Sequence, residues 1–97
     1  MNTISRTAEF DGWLKTLRDR MAQARILARI VSAELGNFGD CKPVGEGVSE
    51  MRIDFGPGYR VYFSRQGETV YLLLAGGDKS TQAADIKRAH KMLSELK

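Results

Sequence analysis

Gly47–Lys79, GVSEMRIDFGPGYRVYFSRQGETVYLLLAGGDK, is the stretch whose reading decides the fold. In Val48–Phe55 the side chains alternate. Met51, Ile53 and Phe55 take one face and Glu50, Arg52 and Asp54 the other, the two-residue period of a strand. Gly56-Pro57-Gly58 supplies a turn, because proline presets φ and glycine accepts positive φ. Tyr59–Arg65 alternates again, with Tyr59, Val61 and Phe63 opposite Arg60, Tyr62 and Ser64. Gln66-Gly67-Glu68 turns the chain a second time, and Val70–Ala75 is apolar on both faces, the mark of a strand covered on both sides. Three strands joined by tight turns make an antiparallel meander. Pairing the first two through the glycine-proline turn sets Arg52 beside Arg60. Two such cations repel unless an anion lies between them. Glu50 and Asp54 are the carboxylates at hand, and a bound phosphate is the functional alternative.

Upstream, Thr7 is a plausible N-cap, followed by an apolar face at Phe10, Trp13, Leu14 and Leu17. Trp13 in that stripe reads as core. Asp19 caps a second, longer helix, whose row Ala22, Ile26, Ile30, Ala33 and neighbouring row Leu27, Val31, Leu35 together predict a broad buried face. Gly36-Asn37 ends it. The pair is an αα-hairpin, and Arg18, Arg25 and Arg29 line its outer side as a basic ridge, a grip for phosphates or acidic partners or simply a solvated face. Thr3–Ser5 alone reads as coil or an edge strand. Asn37–Glu46, with Pro43, Gly39 and Gly45, reads as a loop. Downstream, Gly76-Gly77-Asp78-Lys79 is expected to leave the strand. Ser80 or Thr81 then caps a last helix with its stripe at Ile86, Ala89, Leu93 and Leu96. His90 falls on its polar side among lysines.

Ninety-seven residues make one domain, 1–97, and a chain of this length predicts a single thin layer of helices on one sheet, an α+β fold. Nine arginines and six lysines against twelve carboxylates give a formal net charge of +3, which permits an anionic partner without requiring one. Cys41 is the only cysteine, so neither an intrachain disulfide nor a cysteine metal cluster can form, and it has no histidine near it in sequence to activate it as a nucleophile. His90 is the only histidine. The N-terminal residues carry no apolar leader and no run approaches the roughly 20 apolar residues of a membrane span, so a cytoplasmic protein without a membrane role is the expectation. No phosphate-binding loop, dinucleotide fingerprint or zinc-protease motif occurs.

Taken together, FDGWLKTLRD, the long helix ending in LGN, then GDCKPVGEGVSEMRIDFGPGYRVYF and LLLAGGDKSTQAADIKRA make the chain resemble the RelE/ParE toxin superfamily, nearest its phage-derived, HigB-like branch of addiction-module killer proteins. The resemblance runs from about Phe10 to Ala89. It implies a RelE-like β-α-α-β-β-β-α order, with a helix hairpin and a C-terminal helix on a mostly antiparallel four-stranded sheet. Thr3–Ser5 then becomes a first strand parallel to Val70–Ala75, the helices cover one sheet face, and the other is open, concave and basic. Many members of that superfamily are toxins of type II toxin-antitoxin systems that cleave mRNA at the ribosome without a metal or other cofactor, by attack of the 2′-OH on the adjacent phosphorus. Others poison DNA gyrase. For this chain the resemblance implies Arg60, Lys79, Arg52 and Lys42 as catalytic residues. The first three would act as cations on the scissile phosphate and Lys42 as a base, with Glu50 orienting Arg52, Asp78 orienting Lys79, and Tyr62 stacking on a base. It also implies an antitoxin partner of the helix-turn-helix kind. The catalytic histidines or C-terminal tyrosine of some family nucleases have no counterpart, since His90 lies within the last helix and no tyrosine follows Tyr71.

Overall fold

The computed structural model describes residues 1–96. Strand β1 (Thr3–Arg6) leads into helices α1 (Ala8–Thr16) and α2 (Arg20–Glu34). Strands β2 (Cys41–Pro43), β3 (Val48–Ile53), β4 (Tyr59–Arg65) and β5 (Val70–Asp78) follow, and a 3-10 turn (Lys79–Thr81) leads into α3 (Gln82–Glu95). The strands form one mixed sheet in the order β1-β5-β4-β3-β2, with β1 parallel to β5 and the other pairs antiparallel. The fold is α+β.

Local chemistry accounts for the helix ends. Thr7 Oγ1 accepts from the Phe10 amide at 3.0 Å and donates to the Leu74 carbonyl at 2.7 Å, so one side chain starts α1 and ties it to β5. Asp19 caps α2 through the Met21 and Ala22 amides. Gln23 then donates to the carbonyls of Leu14 and Leu17 at the end of α1, the first of which also accepts from the Leu17 amide. Gly36, at φ +100°, closes α2, with its own amide on Ala33 and that of Asn37 on Ser32, a Schellman ending.

The core differs from the expectation of helices on one face. Phe10, Leu14, Ala22, Ile26, Ile30 and Ala33 of the hairpin pack on Met51, Ile53, Val61, Phe63 and Leu73 from one side. From the other side Ala89 and Leu93 of α3 pack on Val48, Tyr62 and Leu74. The sheet is thus the middle of three layers, and α3 covers part of the face expected to be open. Leu73 and Leu74 facing opposite layers is what the doubly apolar strand required.

Three further expectations are corrected. Cys41–Pro43 pairs with Ser49–Met51 as a fifth strand, tolerable for Pro43 because β2 is an edge. β5 continues through Gly76 and Gly77 to Asp78 instead of ending at Ala75. The two glycines belong inside the strand because a Cβ on Gly76 would overlap the Trp13 ring of α1, and one on Gly77 the Asp85 carboxylate of α3. Finally, Leu27, Val31 and Leu35 are exposed, at 40%, 53% and 68%, so α2 buries a narrow stripe and leaves an apolar row outside.

Candidate functional site

Arg52 sits one residue before the end of β3 and Arg60 is the second residue of β4, and the short connection between them makes the two arginines register partners. β5 lies alongside with Gly77 opposite Arg60, and its last residue caps the 3-10 turn through the Ser80 amide, which brings Lys79 to the same corner. Arg52, Arg60 and Lys79, with Asp40, Asp54 and Gly58, line one open cleft of about 350 Å³.

Each arginine has its own carboxylate. Arg52 sets Nη2 at 2.8 Å and Nε at 3.3 Å from Asp40 Oδ1. That hydrogen bond holds the Asp40 carboxyl below the usual carboxylate range and raises the Arg52 guanidinium. Both groups are open to water, so the pair fixes geometry more than it stabilises the fold. Arg60, 13% exposed, donates from Nη1 to the carbonyls of Gly58 (3.2 Å) and Tyr59 (3.4 Å), while its Nε faces Glu50 Oε1 at 3.7 Å, within ion-pair reach but beyond a hydrogen bond. Among the described residues, nothing in the protein engages Arg60 Nη2 or the Lys79 ammonium.

Behind Arg60 lies a buried polar cluster. Glu50 is wholly buried, and its Oε2 accepts from Gln82 Nε2 of α3 at 2.7 Å. Tyr62, Glu50's register partner, is wholly buried too. Glu50 Oε1, Arg60 Nε and the Tyr62 hydroxyl are shielded from water, and none closes a hydrogen bond. Burial first, and then the nearby Glu50 charge, push the Tyr62 phenol far up, so it stays protonated at neutral pH and cannot act as a base there.

Several expected roles do not survive this geometry. Tyr62 has no exposed face on which a base could stack. Glu50 serves Arg60, not Arg52, whose partner is Asp40. Asp78 spends its carboxylate on Ser80, not on Lys79. Lys42 is exposed on the edge strand, in register with Glu50 and outside the cleft lining. The arginine ridge is largely committed: Arg29 donates to the carbonyls of Arg52, Phe38 and Asp40, and Arg25 lies over the Phe55 ring at 4.6 Å. His90 bonds the Val44 carbonyl through Nε2 at 3.0 Å and lines a separate cleft with Glu46, Lys91 and Ser94. Cys41 is half-buried on β2. Among the described residues no three histidine, cysteine or carboxylate side chains gather as a metal cluster, and no helix is long and apolar enough to cross a membrane.

Two groups escaped sequence reading. Asp40 sits in an irregular loop twelve residues from Arg52, a separation that carries no periodic signal. Gln82 did leave one: it is in phase with Ile86, Ala89 and Leu93, a polar residue on the buried stripe of α3. Asp85 shares that side and is buried against Thr81 Oγ1 (2.6 Å) and Arg88 (3.2 Å), the latter reaching Glu9 of α1 at 2.8 Å.

Fold and cleft define a small three-layer α+β protein with a cation-lined corner built from three elements. The chain is 50% identical over 93 residues to a protein of Haemophilus influenzae described as an uncharacterized protein, covering 96% of this chain and 94% of the relative. It belongs to the same family as that protein. No family model matches the chain, and no solved structure matches it.

Proposed function

We propose that the chain is a toxin of the RelE/ParE kind, with a RelE-like fold, that cleaves mRNA at the ribosome and is held in check by an antitoxin protein. The observation that carries this reading is the convergence of Arg52, Arg60 and Lys79 on one cleft, with Arg60 Nη2 and Lys79 not engaged by the described protein. A phosphodiester in the cleft would meet those donors, which suit the charge that builds on a pentacoordinate phosphorus. The 2′-oxygen bonds to phosphorus as the bond to the 5′-oxygen breaks, leaving a 2′,3′-cyclic phosphate and a 5′-OH. Lys42 lies off the cleft, and Asp40 is committed to Arg52. Asp54 is therefore the carboxylate best placed to take the 2′-OH proton, and the Lys79 ammonium supplies the proton for the leaving oxygen.

The test is a translation extract to which purified protein is added. The expected result is mRNA fragments ending in cyclic phosphate, absent with Arg60→Ala. Intact mRNA at an equimolar ratio of protein to ribosomes would sink the nuclease reading. A gyrase-directed reading draws on the exposed row Leu27, Val31, Leu35 of the helix hairpin, a surface suited to protein rather than RNA. Inhibition of DNA supercoiling with mRNA left intact would favour it.

A further inference from the structure

We infer that Glu50 is a positioning residue: it holds the Arg60 guanidinium so that the Nη2 edge is presented to a phosphate in the cleft, and Gln82 of α3 in turn holds Glu50. The inference rests on reading the Arg52–Arg60–Lys79 cleft as an anion site, and adds the residues that orient its central cation.

The argument begins with cost. A carboxylate with no exposure, one oxygen bonded to an amide and the other facing a guanidinium without a hydrogen bond, is an expensive thing to bury. Well-packed apolar residues in place of a buried ion pair commonly fold as well or better, so stability alone does not account for Glu50. Its placement does. A guanidinium has three nitrogens, and two of those of Arg60 face protein oxygens: Nη1 donates to the Gly58 and Tyr59 carbonyls, and Nε faces Glu50 Oε1 at 3.7 Å. The remaining donor group is Nη2, and Arg60 lines the cleft. The Tyr62 hydroxyl, carried by Glu50's register partner, is buried as well and closes no hydrogen bond. Gln82 comes from the opposite end of the chain order, thirty-two residues from Glu50, so the orientation of Arg60 depends on α3 being docked.

The alternative is simple electrostatics, and it predicts the opposite sign. If Glu50 merely offset charge, Glu50→Gln would leave the cleft more positive and phosphate would bind more tightly. If Glu50 positions Arg60, the same isosteric change weakens binding although it removes a negative charge. The probe is inorganic phosphate, titrated into full-length protein with ¹⁵N-labelled arginine, following the Arg60 Nε–Hε resonance and the dissociation constant. For the wild type, a resolved Arg60 signal that moves with phosphate is expected. For E50Q, the signal should fall into the exposed-arginine envelope and phosphate affinity should drop about tenfold, the scale of a lost charge-assisted contact. Gln82→Ala should move both readouts the same way by about threefold, and it decides alone should E50Q not fold. Unchanged or tighter phosphate binding in E50Q, an Arg60 signal indifferent to the substitution, or a wild type that binds no phosphate each overturns the inference. RNA cleavage enters nowhere in this experiment, so loss of the nuclease reading would leave its outcome standing.

Discussion

Arg52 and Arg60 are register partners on neighbouring strands, an arrangement that repels unless each charge is answered. Asp40 answers one and Glu50 the other, in contrasting settings: an exposed contact of two donors on one carboxylate oxygen and a buried ion pair. Arg60→Ala should lower RNA cleavage in the extract by about 10²- to 10³-fold, the usual loss for one donor to a transition-state oxyanion. Arg60→Lys should not rescue it, because a lysine has one nitrogen, which cannot sit on the Gly58 and Tyr59 carbonyls and also stand where Nη2 does. The Asp40 pair carries a pH signature. Its carboxyl titrates lower in the folded protein than its ordinary 3.8, so what the pair contributes is fully present above that value and is lost as pH falls through the lower folded one. Carboxyl NMR across pH 2 to 5, on the order of the ordinary carboxylate range, should find Asp40 titrating below its ordinary 3.8, and Arg52→Gln should bring it back up. The pairing of Arg52 with Arg60 was legible from strand alternation and the turn. Of their counter-charges, Glu50 was among the carboxylates the alternation offered, whereas Asp40 was not legible: it reaches Arg52 from an irregular loop, and no local pattern reports such a contact.

At the scale of elements, α3 is where sequence and structure part most. Its stripe says which residues point at a sheet, and nothing in a stripe says at which face. A helix laid on the second face turns Glu50 and Tyr62 from surface residues into buried ones while leaving Arg52 and Arg60 near the edge of its footprint. β1 was invisible to propensity because four residues with a polar majority gain their stability from β5, through register contacts Thr3 to Val70 onward. The caps at Thr7, Asp19 and Gly36, by contrast, were readable, since each satisfies helix-end groups within a few residues. β5 takes its layers from both sides at consecutive glycines. Gly76→Ala should therefore destabilise the fold more than Gly12→Ala, where a methyl meets nothing, and the measure is the urea midpoint of each variant. Phe10→Ala, emptying a fully buried ring site under the hairpin, should cost about 3–5 kcal/mol by the same assay.

For the whole molecule, three layers in 97 residues leave little surplus core, and α2 gives up part of its apolar surface to solvent. Leu27→Lys and Val31→Lys should shift the melting temperature by no more than about 3 °C, because exposed substitutions away from caps and pairs cost little. If that row is a contact surface, the same variants should lose a partner while phosphate binding at the cleft of Arg52, Arg60 and Lys79 stays unchanged. A melting temperature that collapses instead would assign the row to the fold.

The neutralised state of the cleft has one more consequence, in how binding should respond to ionic strength. Three uncompensated cations would each take over one phosphate of an RNA and release about 0.7 of a cation condensed on it, giving a steep fall of affinity with salt. Here two of the three already face carboxylates of the protein, whose charge offsets what those arginines can neutralise on the RNA. The logarithmic salt slope for a short single-stranded RNA should then lie nearer the contribution of one cation, about −0.7, than the roughly −2 of three. Asp40→Asn should steepen it.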